Sequence, residues 1–300
     1  MDPFIKSVLS QAMLGLNNGA FYALLSLGLA VIFGLLNIVN FAHGAFYMLG
    51  AFLALIGLTQ FGGWIGMPEL SIGFWWALLL SPLLVGLFGI VIERTMLKRL
   101  AGLDHLYGLL LTFGVALVLQ GFFGNFYNMA GTPYPGIPPS LRGVVDLGFM
   151  YFPKYRLFAL LFSLAVCFVT WYAIERTKLG ALLRASTENP KLVEAFGVNV
   201  PLLVTLTYGF GCALAGLAGV MAAPIYSVSP LMGSEIIIVV FAVVVIGGMG
   251  SILGAIVTGL GLGLIEGVVK VLYPPAASLV VFVIMAIVLM VRPSGLFGRE

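Results

Sequence analysis

The sequence predicts an all-α, polytopic bundle of eight or nine membrane-spanning helices, with one short helix in a polar loop, forming a single domain over residues 1–300. Three observations carry that expectation. Apolar residues make up 61% of the chain and charged residues 8%, with a mean hydropathy of +1.15, far outside the range of soluble domains. Charge is also confined, leaving charge-free runs at Ser7–Pro68, Leu70–Ile92, Tyr107–Leu141, Leu157–Ile174, Ala195–Ser234, Ile236–Ile265 and Val271–Val291. A crossing takes about 20 residues, so the first run holds two or three and each other run about one. Finally, the runs are continuously apolar, where a barrel would alternate.

The start, MDPFIKSV, lacks the basic segment and small-residue cleavage site of a secretory signal, so the first helix is expected to stay in the mature chain. Within the first run, Asn37, Asn40 and His43 recur every third position in LLNIVNFAHGAFYMLG. On one helix they form a stripe about 120° wide. Such a stripe faces other helices or a water-filled path, and interhelical hydrogen bonding and a translocation path both satisfy it. Asn17 and Asn18, between Gly15 and Gly19, pose the same choice.

The basic loop Arg94–Asp104 follows, and then HLYGLLLTFGVALVLQGFFGN, whose Thr112, Gln120 and Asn125 read as packing contacts. Four prolines between Thr132 and Pro139 exclude a regular helix there and predict an extended cap. The segment Glu175–Pro201 is a polar island, holding 7 of the chain's 25 Asp, Glu, Lys and Arg residues. Asn189 before Pro190 reads as a helix cap, and Gly197 or Asn199 as a left-handed stop. The helix between them is about two turns long, with Leu192, Val193 and Phe196 on one face. That face suits the lipid headgroups or a soluble partner.

Beyond the island, Ala255, Gly259, Gly263 and Gly267 are spaced by four and predict a smooth helix-packing ridge. Gly247, Gly248 and Gly250 predict an interruption: a hinge or a re-entrant turn. Glu266 and Lys270, four apart, read as an intrahelical ion pair. Nine basic residues fall in the Arg94 loop, the island and the tail, against five in the other connections. The positive-inside rule then makes the first set cytoplasmic. Eight crossings put the N-terminus inside, and nine put it outside.

Catalytic chemistry is missing. The two histidines, His43 and His105, belong to no metal-ligand cluster, and no serine sits in a nucleophile elbow. No metal, cofactor or nucleic-acid partner is expected. Cys167 and Cys212 lie in apolar runs and read as packed thiols. A coupled carrier needs an acidic group at membrane depth, and the Asp and Glu residues lie in loops or near the ends of apolar runs. No phosphate-binding G-x-x-x-x-G-K-[ST] loop occurs, so the chain does not itself hydrolyse ATP. A passive channel stays open.

Three segments resemble the LivH-type permeases of bacterial high-affinity branched-chain amino-acid ABC importers. They are GLNNGAFYALLSLGLAVIFGLLNIVNFAHGAFYMLGAF, the span Arg184–Ala223, and VVVIGGMGSILGAIVTG, and the ending RPSGLFG is similar to theirs too. The resemblance implies a multi-pass permease subunit of the bacterial inner membrane. Its partners would be a homologous second permease subunit, two cytoplasmic ABC ATPases and a periplasmic substrate-binding protein, all acting across the lipid bilayer. It implies branched-chain amino acids (leucine, isoleucine, valine) as cargo, with urea, short amides or other small polar or aromatic compounds as the alternative within the class. The island, about residues 175–200, then corresponds to a cytoplasmic coupling loop, with Arg184, Glu188, Asn189, Glu194, Ala195 and Gly197 its most recognisable members. In that reading Leu192, Val193 and Phe196 insert into the ATPase while Arg184, Glu188 and Glu194 fix the register. The E-A-A-x-x-x-G pattern of ABC permeases is matched imperfectly, because Phe196 follows Glu194-Ala195 and Gly197 comes two positions after the alanine.

Overall fold

The structure, a computed structural model, describes residues 2–36, 40–64, 71–100 and 103–298. In chain order the elements are α1 (Pro3–Leu36), α2 (His43–Thr59), the single turn α3 (Phe61–Trp64), α4 (Phe74–Thr95) and α5 (His105–Phe126). A hairpin of β1 (Val144–Asp146) and β2 (Tyr151–Pro153) leads into α6 (Lys154–Arg176), α7 (Lys178–Glu188) and α8 (Pro190–Ala195). Last come α9 (Val200–Ala222), α10 (Met232–Gly247), α11 (Ile252–Leu272) and α12 (Val280–Val291). Among the described residues six helices, α1, α4, α5, α6, α9 and α11, are long and apolar enough to cross a membrane. Among the described residues α2, α10 and α12 are shorter apolar helices of 17, 16 and 12 residues. The described residues are thus overwhelmingly helical, and the strands among them are confined to one two-stranded hairpin that pairs Val145 with Phe152.

The chain divides into two compact units. The first comprises Met1–Leu27, Ile137–Phe168 and Ile238–Glu300. Its main joint is the antiparallel seam of α1 and α11, where small residues let backbones touch. A Cβ on Gly259 would stand 2.6 Å from the Ala23 nitrogen, and Cβ atoms on Gly15, Gly263 or Gly267 would meet the facing backbone. Gly259, Gly263 and Gly267 of the ridge therefore meet α1, and Ala255, one turn earlier, is buried. The Tyr22 hydroxyl donates to Glu266 at 2.9 Å, and Lys270 donates to the same carboxylate at 2.7 Å. Ala242, Val243 and Ile246 of α10 form a small core with Leu262 and Val281.

Gly247 ends α10, and Gly248 and Gly250 lie in the turn that connects it to α11. Gly248 and Gly250 have φ of +99° and +88°, which glycine adopts without a Cβ penalty. The tail folds onto this turn, with the Leu296 and Phe297 amides donating to the Ile246 and Gly247 carbonyls. The tail thus supplies partners to carbonyls that a helix end leaves unmet.

The second unit comprises Gly28–Gly136 and Val169–Ile237. Here α2, α4 and α9 pack together. A Cβ on Gly50 would stand 2.6 Å from the Gly216 Cα, and one on Gly86 3.0 Å from the Gly209 oxygen. The α5 helix joins through Phe52 stacked on Phe123, with ring centroids 4.3 Å apart. The proline-rich connection is non-helical until a 3-10 turn at Pro139–Leu141, and Thr132 pairs with Val228 in a two-way backbone bridge.

Candidate functional site

The site grows from the break between α1 and α2. Asn40, Phe41 and Ala42 form a turn, and His43 opens α2, so the expected stripe on one continuous helix is corrected. Asn37 lies outside the described residues. The reason is local competition: Asn40 Oδ1 accepts from the Ala42 amide at 3.1 Å, and the Asn40 carbonyl accepts from the His43 amide at 3.3 Å. An asparagine that bonds its own backbone favours a turn over a helix. The Phe41 amide donates to the Thr112 hydroxyl at 3.1 Å. Thr112, read from sequence as a packing residue, therefore satisfies backbone exposed by the break, as a membrane interior requires.

Asn40 and His43 are fully buried. The imidazole lies on α1 at Gly28, where an added Cβ would come within 2.9 Å of its Cε1. On α9, Tyr208 and Cys212 are also fully buried, and the Tyr208 hydroxyl faces Asn40 and Cys212. The Tyr208 hydroxyl interacts with the Asn40 and Cys212 side chains, and neither it nor Asn40 Nδ2 makes a hydrogen bond of good geometry among the described residues. A buried polar atom left unmet costs about 1–3 kcal/mol. The cluster thus gathers polar groups whose hydrogen-bonding capacity is only partly used. Asn17, in the other unit, donates its Nδ2 to the Arg156 carbonyl at 2.8 Å.

Lower on α9, the Thr205 hydroxyl donates to Glu93 Oε2 at 2.7 Å, with both residues buried. Sequence reasoning missed this pair. Glu93 stands one residue past a charge-free run and reads as a residue near a run's end, whereas α4 continues to Thr95 and buries it. The available signal was its position inside a helical pattern extended past the run's end. Beside the pair, Arg94 and Lys98 line a cleft with Asn199 and Thr205.

The island is two helices instead of the expected one. The first of them, α7, folds back on the end of α6, with Arg184 donating to the Ile174 carbonyl at 3.1 Å and standing 3.5 Å from Glu175. The Leu179, Leu182, Leu183 and Ser186 spacing was its unread signal. Asn189 caps α8 by accepting from the Leu192 amide at 3.1 Å, and Gly197, at φ +82°, is the left-handed residue. Asn199 instead caps α9, accepting from the Leu202 amide at 3.0 Å. The three apolar residues do not share one open face. Val193 is 6% exposed, while Leu192 is 54% and Phe196 80% exposed. The cause is length: α8 has six residues, and Phe196 falls past its end as the C-cap, out of helical register. Glu188, Glu194, Ala195 and Gly197 are exposed beside them.

One helix connects these features. Asn199 starts α9 next to the island, Thr205 meets Glu93 nearly two turns later, and Tyr208 and Cys212 reach the buried cluster. From Asn199 to Tyr208 the rise is roughly 14 Å. Among the described residues no three His, Cys, Asp or Glu side chains are grouped to hold a metal.

The family described as branched-chain amino acid transport system / permease component matches residues 12–290. The chain is 31% identical to the high-affinity branched-chain amino acid transport system permease protein BraD of Pseudomonas aeruginosa, over 99% of this chain and 98% of that one. It is 28% identical to the corresponding protein LivH of Escherichia coli K12, over 97% and 96%. It is also 29% identical to a probable branched-chain amino acid transport permease protein LivH of Methanocaldococcus jannaschii, over 92% and 88%. No solved structure matches.

Proposed function

The chain belongs to the branched-chain amino acid transport system permease family, and from that premise we propose that it is the membrane permease of an ABC importer carrying leucine, isoleucine and valine. The observation that carries this reading is the near full-length similarity to permeases of that description. In this reading a periplasmic binding protein delivers the cargo, a second homologous permease completes the pore, and two cytoplasmic ATPases drive it across a bacterial inner membrane.

The geometry supports a division of labour. Asn40 and His43, with Tyr208, line the route, because a zwitterion moving through an apolar bundle needs polar partners, and these three are fully buried polar side chains of the second unit. Asn37 is proposed with them from its place in the chain, three residues before Asn40. The ATPase docks on α7 and α8 through the exposed Leu192 and Phe196, while Val193 holds α8 to its own chain. Arg184, Glu188, Asn189, Glu194, Ala195 and Gly197 shape that surface. Docking strain then enters α9 at the Asn199 cap and reaches Tyr208 through one continuous helix.

Nine crossings with an outer N-terminus suit this scheme. Within the first unit the α10–α11 turn and the C-terminal tail occupy one end of α11, while Gln11 of α1 meets Gly267 near the other end. With the basic tail cytoplasmic, the start of α1 falls outside. Uptake of labelled leucine, isoleucine and valine by cells with and without the chain tests the function. Uptake unchanged by its deletion would refute it.

A further inference from the structure

We infer that the end of the α4–α9 pair next to the island holds the headgroup of an anionic phospholipid. A cleft of about 420 Å³ opens there, lined by Arg94, Lys98, Asn199, Pro201, Leu202 and Thr205. Arg94 sits in the last turn of α4, and Lys98 lies four residues on in the 3-10 turn Leu97–Leu100. Both are exposed, and the ion pairs among the described residues, Arg184 with Glu175 and Lys270 with Glu266, involve neither. The neighbouring Glu93 is 5% exposed, accepts from Thr205 and does not line the cleft. The cleft therefore presents two cations with no facing carboxylate.

What selects a lipid over a free anion is the surface that continues from the cleft. On α4, Val91 and Leu87 precede Arg94 by three and seven residues, on the same helical face, and are 54% and 58% exposed. On α9, Leu206 and Phe210 follow Leu202 by four and eight residues and are 53% and 45% exposed. Two apolar tracks thus lead away from one cationic mouth, along two helices that pack against each other. That is the shape of an amphiphile: phosphate in the cleft, acyl chains along the tracks. Inorganic phosphate, or an acidic side chain of a protein partner, would use the mouth and leave the tracks idle. Basic pockets at the ends of spanning helices suit anionic headgroups, each cation contributing enough for about a fivefold change in affinity.

The test uses the full-length protein in neutral detergent, followed by native mass spectrometry with phosphatidylglycerol or phosphatidylcholine added. Phosphatidylglycerol should be retained in preference. Arg94→Gln and Lys98→Gln should each weaken its retention about fivefold, and the double variant about 25-fold. The charge-keeping pair R94K and K98R should retain it, which separates lost charge from lost folding. Arg142→Gln and Lys154→Gln, beside the β hairpin, should leave it unchanged. Wild-type retention in the double glutamine variant would overturn the site. Complete displacement of the lipid by excess inorganic phosphate would overturn the lipid as its occupant.

Discussion

Two seams in this molecule are built from the same small residues and end in different chemistry. The α1–α11 seam joins Gly15, Gly19 and Ala23 to Gly259, Gly263 and Gly267, contact positions that carry no polar side chain. The seam of α2, α4 and α9 also brings glycines together, at Gly50 with Gly216 and Gly86 with Gly209. Around it, however, are Asn40, His43, Tyr208, Cys212, Glu93 and Thr205, all buried. Single unmet atoms occur in the first unit too, at Asn17, Ser163 and Thr258. They sit one to a helix, on α1, α6 and α11, whereas Asn40 and Tyr208 face each other. Close backbone approach makes a joint. A joint that gathers buried polar groups beside it makes a candidate site.

Of the two seams, the first carries the largest expected effect, because it is structural. Gly263→Leu puts a branched side chain into the backbone of α1, and the expected result is loss of folded, membrane-inserted protein on immunoblots of purified membranes. Normal insertion with selective loss of uptake would make that seam functional instead. The next effect is smaller and falls on the second seam. His43→Ala and Asn40→Ala should lower leucine uptake about tenfold or more while the amount of inserted protein falls less than twofold. Parallel losses of both would turn the cluster into packing.

The island sharpens the contrast between buried and exposed apolar residues. Leu192 and Phe196 each offer about 1.5–3 kcal/mol if fully buried on a partner. Leu192→Asp or Phe196→Ala should therefore weaken ATPase co-purification about tenfold or more. Val193→Ala should instead loosen α8, visible as faster proteolysis after Lys191. Undiminished co-purification with Leu192→Asp would favour α8 lying on the membrane surface. Glu188→Gln is expected to change uptake less than twofold, since exposed ion pairs contribute about 0–1 kcal/mol.

Much of the helical architecture was legible because periodicity and charge confinement are local signals. The four-residue spacing of Gly259, Gly263 and Gly267 announced a close-packed face, though not that α1 would meet it. The island's caps were legible too, since Asn189 and Gly197 act within a turn of themselves. Asn40 was harder. Its spacing from Asn37 and His43 fits a helix, and only the competing bonds to its own backbone and from Phe41 to Thr112 reveal the turn. Glu93 was illegible for the opposite reason. Its partner Thr205 is 112 residues away, and no local pattern announces that contact.

The chain's own cysteines report whether the route passes the polar cluster. Cys212 lies beside Tyr208 in the polar cluster, and Cys167 lies in α6 of the first unit; both are buried and free. A small, uncharged thiol reagent applied to the native importer during turnover should modify Cys212, with saturating leucine slowing the reaction and Cys167 staying inert, as read by peptide mass spectrometry. If Cys212 stays as inert as Cys167 throughout turnover, or Cys167 reacts first, the route does not pass this cluster.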